Sequence, residues 1–310
     1  MSTRYLVVAC TPYSGSTLLA SLLGAHPQIA TVSEVSGTKR ESGLATFRCS
    51  CGRLMVECPF WREVQDRMQG MGFEDFTLGD FGLRFDAPGP ARRFRVGSLH
   101  WSIAEDIRDA ALSLIPRHDR SMREVALRNQ AFANVVLAIT GKRVFADASK
   151  EPMRLRYLHR LLNMEMKALH LVRDVRGVAA SGAKHGTQPD VRAAARMWVR
   201  VNATLMRHLD RLSPESRMIV RYEDLCRDTD AVMAKIFAFC GVDGFLGDAL
   251  SGGSRSQHLL GNRSRLEGMT EIRLDESWRS LLTEADLATI SRESSSFAQE
   301  LDRLDAGTHA

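Results

Sequence analysis

Four stretches of the chain carry residue types able to do chemistry. In TPYSGSTLL (11–19), a proline, a glycine and the hydroxyls of Ser14, Ser16 and Thr17 lead straight into a leucine-rich run. A turn of that kind points backbone N–H groups and a helix N-terminus at one place, where an anion binds well; a plain strand–helix turn with Ser/Thr caps has much the same composition. A P-loop NTPase reads G-x4-G-K-[ST], its lysine reaching the β/γ-phosphates, whereas here Gly15 stands before Ser16-Thr17 and the loop has no lysine. An ordinary ATPase is disfavoured. In LVRDVRGVAASGAKHG (171–186), Arg173 closes an apolar run and Ser181 follows eight residues later, about two helical turns, so both could close on a second phosphate. Two anion sites, each at a strand–helix turn of one sheet, point to a nucleotide phosphorylated at two distant positions. Asp147 ends VFADA and reads as a strand-end hydrogen-bond acceptor before a magnesium ligand. The fourth stretch, FRCSCGRLMVECPFW (47–61), gathers Cys49, Cys51 and Cys58. Its C-x-C spacing is not the usual C-x2-C and no fourth ligand stands nearby in the sequence, so buried loop thiols are preferred over a zinc knuckle and no metal is expected.

These residues need a scaffold, and the hydrophobic pattern supplies one. RYLVVAC (4–10) reads as a strand buried on both faces, LLASLLGAH as a helix stopped by Pro27, and QIATVSEV as a second strand with Glu34 near its end. Strand, helix, strand at this length is the signature of a parallel sheet. Further on, KRVFADA (142–148), KALHLVR (167–173) and RMIVRYEDL (217–225) read as strands. The pattern predicts helices over 122–139, from Pro152, over 190–212, through DAVMAKIFAFCG up to Gly241, and near 283–304. Residues 37–110 are irregular and read as part of an insertion over the sheet. Cys10, Cys226 and Cys240 lie in apolar segments and read as core, as do the dispersed Trp61, Trp101, Trp198 and Trp278.

Composition sets outer limits. With 310 residues, 44% apolar and 25% charged, the chain is an ordinary globular protein, and fibrous or disordered classes are excluded. Its length alone suggests two domains, but the continuous strand–helix alternation favours one α/β domain spanning 1–310. A net charge of +5 is too scattered for a nucleic-acid binder, yet compatible with an anionic ligand in a local basic cleft. No apolar stretch approaches the roughly 20 residues of a spanning helix, and the start lacks an export pattern. A cytoplasmic location with reduced cysteines is expected.

Taken together, the motifs resemble sulfotransferases that use 3′-phosphoadenosine 5′-phosphosulfate (PAPS). TPYSGSTLL is similar to their 5′-phosphosulfate loop, and Arg173 with Ser181 to their 3′-phosphate motif. RYEDL (221–225), DASKEP (147–152), CSCG with ECPFW, and HLLGNRSRL (258–266) resemble segments of the bacterial and Golgi-type branch in the right order. The resemblance implies a P-loop-like three-layer α/β fold, with a central parallel sheet and a mostly helical insertion over 37–140 that forms the acceptor pocket. It implies that Tyr13, Ser14, Gly15, Ser16 and Thr17 hold the 5′-phosphosulfate and that Tyr222 contacts the adenine side. Asn262, Arg263 and Arg265 resemble a late segment that folds over the nucleotide.

Sulfuryl transfer needs a base for the acceptor hydroxyl and cations for the leaving phosphate. Glu34 matches the glutamate after HP-x-I that acts as base in tyrosylprotein-type sulfotransferases, and Lys150 matches the lysine of a related K-D-P segment. One departure stands out: relatives often carry Arg or Lys before Ser-Gly in the loop, where this chain has Tyr13. The resemblance therefore implies a PAPS-dependent enzyme with a hydroxyl-bearing acceptor, a small molecule or glycan in preference to others, and no obligatory metal. The alternatives are a kinase or NTPase with a degenerate phosphate loop, and a non-catalytic nucleotide-binding homologue. The pattern is silent on acceptor identity and oligomeric state.

Overall fold

The computed structural model describes residues 4–36, 46–86, 91–99, 101–162, 164–243, 258–260 and 272–308. The chain opens with β1 (Arg4–Cys10), α1 (Ser16–Ala25) and β2 (Ile29–Ser33), then lays down α2 (Pro59–Gly70), α3 (Arg92–Val96), α4 (Ser102–Ser113) and α5 (Pro116–Thr140). It returns through β3 (Val144–Asp147), α6 (Pro152–Leu161), β4 (Glu165–Val172), α7 (Val175–Lys184), α8 (Val191–Leu209) and β5 (Arg217–Arg221). It closes with α9 (Tyr222–Arg227), α10 (Thr229–Cys240), α11 (Trp278–Leu281) and α12 (Glu284–Thr308).

The strands form one sheet in the order β2-β3-β1-β4-β5, every pairing parallel. Successive residues of β1 supply opposite faces: Tyr5, Val7 and Ala9 pack with Phe132, Trp61 and Leu155, while Leu6, Val8 and Cys10 pack with Leu19, Leu23 and Phe237. Helices therefore cover both faces in three layers, which explains why these strands read as near-continuous apolar runs. The α/β expectation holds. No helix among the described residues is long and apolar enough to cross a membrane.

Local signals set many of the boundaries. Proline occupies the first turn of α2, α5 and α6, where its missing N–H costs no helical bond. Asp174, Asp190 and Asp228 cap α7, α8 and α10 by accepting from Arg176, Ala193 and Ala231 N–H. Gly141 and Gly241 end α5 and α10 in the left-handed conformation.

Three expectations need correction. RMIVRYEDL is not one strand: β5 stops at Arg221 and α9 begins at Tyr222, where Glu223 and Asp224 suit a helix N-terminus. The helix expected at 122–139 starts six residues earlier, at Pro116. Trp61 and Trp198 are core, but Trp101 is 70% exposed. The described part of 37–110 is also more ordered than its composition suggests. A buried ionic cluster ties α4 to α6 and α8: Arg156 meets Asp109 at 2.6 Å, and His208 Nε2 lies 2.9 Å from Glu105. Such a cluster fixes position more than it adds stability, because desolvation offsets much of the Coulomb gain.

Candidate active site

All five strands point the same way, and their carboxyl ends deliver the candidate residues in a row. Glu34 follows β2, Lys150 follows β3, Tyr13 to Thr17 follow β1, Arg173 follows β4 and Tyr222 follows β5. This is the edge where open α/β sheets bind ligands.

At the centre, Tyr13 and Gly15 both take positive φ, 66° and 88°. The chain thereby turns directly from β1 into α1. No side chain caps α1 and no acid stands in its first turn, so its leading N–H groups are available to an anion. Ser14 and Ser16 are buried, and the Thr11 and Ser14 hydroxyls share a 2.5 Å hydrogen bond. A methyl group on Gly15 would fall 2.4 Å from Cδ2 of Tyr222, so the loop requires glycine for space as well as for φ. The Tyr13 ring stacks on His185 with centroids 5.4 Å apart, and its hydroxyl donates to Thr187 at 3.0 Å. Its side chain thus braces the end of α7.

On the β2–β3 side, Lys150 Nζ donates to Glu34 Oε1 at 2.6 Å, both side chains being largely but not fully covered. Their charges reach Cys10 at the end of β1; burial pushes that thiol up to about 11, with Lys150 and a hydrogen bond from Ser16 opposing. The pair therefore lies close to the start of the β1–α1 loop. Several hydrogen bonds lace the two strand ends together. Ser149 Oγ accepts from Val35 and Ser36 N–H at 2.9 and 3.0 Å, and Ala148 N–H donates to Ser33 at 2.9 Å. Ser33, immediately before Glu34, has φ 66°, and the β2–β3 register shifts between Thr31 and Ser33. A non-glycine residue there costs on the order of 1–3 kcal/mol, the kind of strain functional sites retain.

Asp147 behaves as the acceptor expected of it, taking bonds from Tyr5 Oη at 2.7 Å, Ser149 N–H at 2.9 Å and Arg154 Nε at 2.6 Å. Glu151 follows Lys150 in DASKEP. Burial raises its carboxyl above the usual range despite Arg154 and Arg84 nearby, and it also hydrogen bonds Ser36. Arg84 Nε lies 3.2 Å from it, and no local sequence signal points to this partly buried position.

On the β4–β5 side, Arg173 is 6% exposed. Its guanidinium donates to Tyr13 O at 3.0 Å and to the Asp275 carboxylate at 2.8 Å, and lies over the Tyr222 ring at 4.5 Å. Arg173 thus ties the β1–α1 loop to Asp275. Burial alone would raise the Asp275 carboxyl, but hydrogen bonds from Ser277 and Arg173 prevail and hold it at about 2. Ser181 lies within α7 and is partly exposed; among the described residues no hydrogen bond joins it to Arg173. Tyr222 is buried, which together with Cys226 pushes its hydroxyl up to about 12. Asn262, Arg263 and Arg265 lie outside the described residues. Beside this half of the edge, a cavity of about 730 Å³ opens among Asp174, Arg176, Glu223 and α12.

The cysteine segment gives a result the sequence reading did not foresee. Cys49, Cys51 and Cys58 converge, and His258, some 200 residues away, joins them. The fourth potential donor, which the local sequence lacks, is supplied by His258.

The carboxyl edge thus sets an uncapped helix N-terminus at the central strand beside a carboxylate–lysine pair. A sequence profile of the sulfotransferase family matches residues 84–245, just over half of the chain, and the chain belongs to that family. It is a sulfotransferase, a transferase of sulfuryl groups. The matched stretch includes Lys150, Arg173, Ser181 and Tyr222 but begins after the β1–α1 loop and Glu34. Among solved structures, the fold is similar to the sulfotransferase domain of the olefin synthase of Synechococcus PCC 7002. The TM-score is 0.55 at 21% identity, covering 96% of this chain and 95% of that one. It is also similar to the sulfotransferase domain from the curacin biosynthetic pathway, with a TM-score of 0.51 at 17% identity over 96% and 98%. No curated protein matches the sequence.

Proposed function

We propose that the chain transfers the sulfuryl group of PAPS to a hydroxyl of a small-molecule or glycan acceptor, with Glu34 as general base and Lys150 as the neighbouring cation. The observation that carries this reading is the 2.6 Å Glu34–Lys150 pair, held at two laced strand ends beside an uncapped loop. The Glu34 carboxylate takes the acceptor proton as the acceptor oxygen bonds to sulfur and the bond from sulfur to the phosphate oxygen breaks. Lys150 and the leading N–H groups of α1 offset charge on the sulfuryl and departing phosphate oxygens. The same loop and helix N-terminus suit the 5′-phosphosulfate, with Tyr13, Ser14, Gly15, Ser16 and Thr17 as its cradle. Arg173, Ser181, Tyr222, Asn262, Arg263 and Arg265 are proposed for the rest of the nucleotide, Arg173 through the guanidinium N–H groups that Tyr13 and Asp275 do not take.

The stretch 37–140 suits the acceptor pocket because it leaves the sheet three residues after Glu34 and returns ten before Lys150. Incubation with PAPS and a panel of hydroxyl acceptors, read by mass spectrometry, tests the reaction. Calorimetric titration with 3′-phosphoadenosine 5′-phosphate against magnesium-ATP tests the nucleotide. Tight ATP binding with none of the bisphosphate would restore the kinase reading, and bisphosphate binding without sulfation of any acceptor would favour a non-catalytic homologue.

A further inference from the structure

The convergence of Cys49, Cys51, Cys58 and His258 lies outside the chemistry proposed above and has a geometry of its own. Cys49 Sγ and Cys58 Sγ lie 3.3 and 3.4 Å from His258 Nδ1, and Cys51 Sγ lies 3.7 Å from Cys58 Sγ. All four donor atoms fall within 4.8 Å of one another. A tetrahedral zinc ion, with Zn–S about 2.3 Å and Zn–N about 2.0–2.1 Å, sets neighbouring donors roughly 3.5–3.8 Å apart. Three of the six donor pairs are thus already close to that spacing, and the other three lie within 4.8 Å. We propose that this Cys3His cluster is a structural zinc site, with His258 ligating through Nδ1.

The surroundings are built for it. Arg48 and Leu54 form an antiparallel bridge around the C-x-C-G turn, Cys49 N–H donates to Arg53 O at 2.9 Å, and Gly52 turns at φ 89°. The Cys51 backbone N–H donates to the Cys49 sulfur, and that of Trp61 to the Cys58 sulfur. Such N–H···S bonds offset thiolate charge and orient the ligands. Cys58 occupies the N-cap of α2, where a helix N-terminus favours an anion. His258 is equally fixed: its ring stacks on Phe60 at 4.3 Å and 3°. Leu259 N–H then donates to Ser50 Oγ, and Leu260 N–H to Val32 O, each at 2.8 Å. Three thiolates and an imidazole favour zinc over the oxygen-preferring cations, and donors this close enclose one ion rather than an iron–sulfur cluster. With Zn²⁺ the group carries a net charge of −1, and Arg48 and Arg53 flank it in the turn.

The ion would act as a cross-link. It joins the hairpin and α2 to a segment about 200 residues later that is hydrogen bonded to β2 two residues before Glu34. In sequence, His258 stands four residues before Asn262. Zinc would therefore anchor residues 258–260 next to the carboxyl end of β2.

The test is metal analysis of the purified full-length chain, prepared without chelators, combined with X-ray absorption at the zinc edge. The expected result is one zinc per chain with three sulfur and one nitrogen neighbours. Absence of stoichiometric zinc, a shell without sulfur, or a Cys51–Cys58 disulfide found by thiol titration and mass spectrometry would overturn the proposal. Cys51→Ser and His258→Ala change the two ligands that are only partly buried. In competition with a chromophoric chelator, each is expected to weaken zinc retention about tenfold or more; retention equal to the unmodified chain would sink the assignment. Stoichiometry and sulfur count in the unmodified chain decide the matter even where a variant fails to fold.

Discussion

The two halves of the sheet's carboxyl edge use their charges differently. After β2 and β3, Glu34 and Lys150 face one another at 2.6 Å with 22% and 16% of their side chains exposed, so a ligand can still reach them. After β4 and β5, Arg173 is 7% exposed at its side chain and spends donors on Tyr13 O and Asp275. The first half leaves a carboxylate–lysine pair partly open; the second ties its arginine to the loop backbone and to Asp275. A cation at a strand end can serve chemistry or architecture, and its partners distinguish the two. That contrast can be broken experimentally.

The largest effect should follow Glu34→Gln. Losing a general base costs about 10²- to 10⁴-fold in rate, so kcat should fall by that order while affinity for 3′-phosphoadenosine 5′-phosphate stays within a few-fold. Near-normal turnover would remove Glu34 as base and turn attention to Glu151, the carboxyl next to Lys150 in sequence, which burial raises. Lys150→Ala should also lower kcat, but with a weaker effect if the N–H groups of α1 share the charge. Steady-state kinetics beside calorimetry separates these outcomes.

Next comes Gly15→Ala. The added methyl meets the Tyr222 ring at 2.4 Å, and φ 88° remains unfavourable for alanine even if the ring moves. A residue forced into left-handed geometry costs about 1–2 kcal/mol, and the clash adds to it. A lower Tm with impaired nucleotide binding is expected. Combining it with Tyr222→Ala should restore part of the loss; no recovery in the double variant would show that φ, not the ring, sets the requirement.

Arg173→Ala should have an intermediate effect, weakening PAPS and its bisphosphate product together while lowering Tm, because the loop loses its brace from behind. Arg173→Lys should rescue poorly. A lysine is a point charge and cannot span Tyr13 O, Asp275 and the Tyr222 face as a planar guanidinium does. Weakened binding with an unchanged Tm would put Arg173 back among groups that serve the ligand alone.

Legibility in the sequence divides along the same edge. β1, the loop and α1 were readable because they are contiguous and both faces of the strand are apolar. Glu34 and Lys150 were nominated by resemblance, and their pairing became visible only when β2 and β3 lay side by side. The strain at Ser33 leaves no residue-type signal, since serine is ordinary in turns. Tyr222 was placed at a strand end because YEDL continues an apolar run, yet its two acids start a helix. His258 could not be matched to the cysteines by spacing, as long-range ligation leaves no local period. Trp101 shows the opposite error, an aromatic assumed to be core that faces solvent.

Asp275 carries the smallest and sharpest prediction, because it is the residue that makes the β4–β5 half architectural. Its side chain is 43% exposed, so its ion pair with Arg173 is screened and contributes little to global stability. Its carboxyl lies near 2 when folded, below the ordinary 3.8. A depressed acid stabilises the fold above its unfolded pKa, so that contribution is complete above about pH 4 and disappears as pH falls through about 2. Asp275→Asn should therefore leave Tm nearly unchanged at neutral pH and flatten a small part of the acid-induced loss. Its clearer readout is the ligand: the asparagine oxygen and the backbone carbonyl can still accept from Arg173, but the guanidinium loses its neutralising charge, so the doubly phosphorylated nucleotide should bind a few-fold tighter. Unchanged affinity would mean that Arg173 serves only the loop, and that the 3′-phosphate finds its cation elsewhere along the chain.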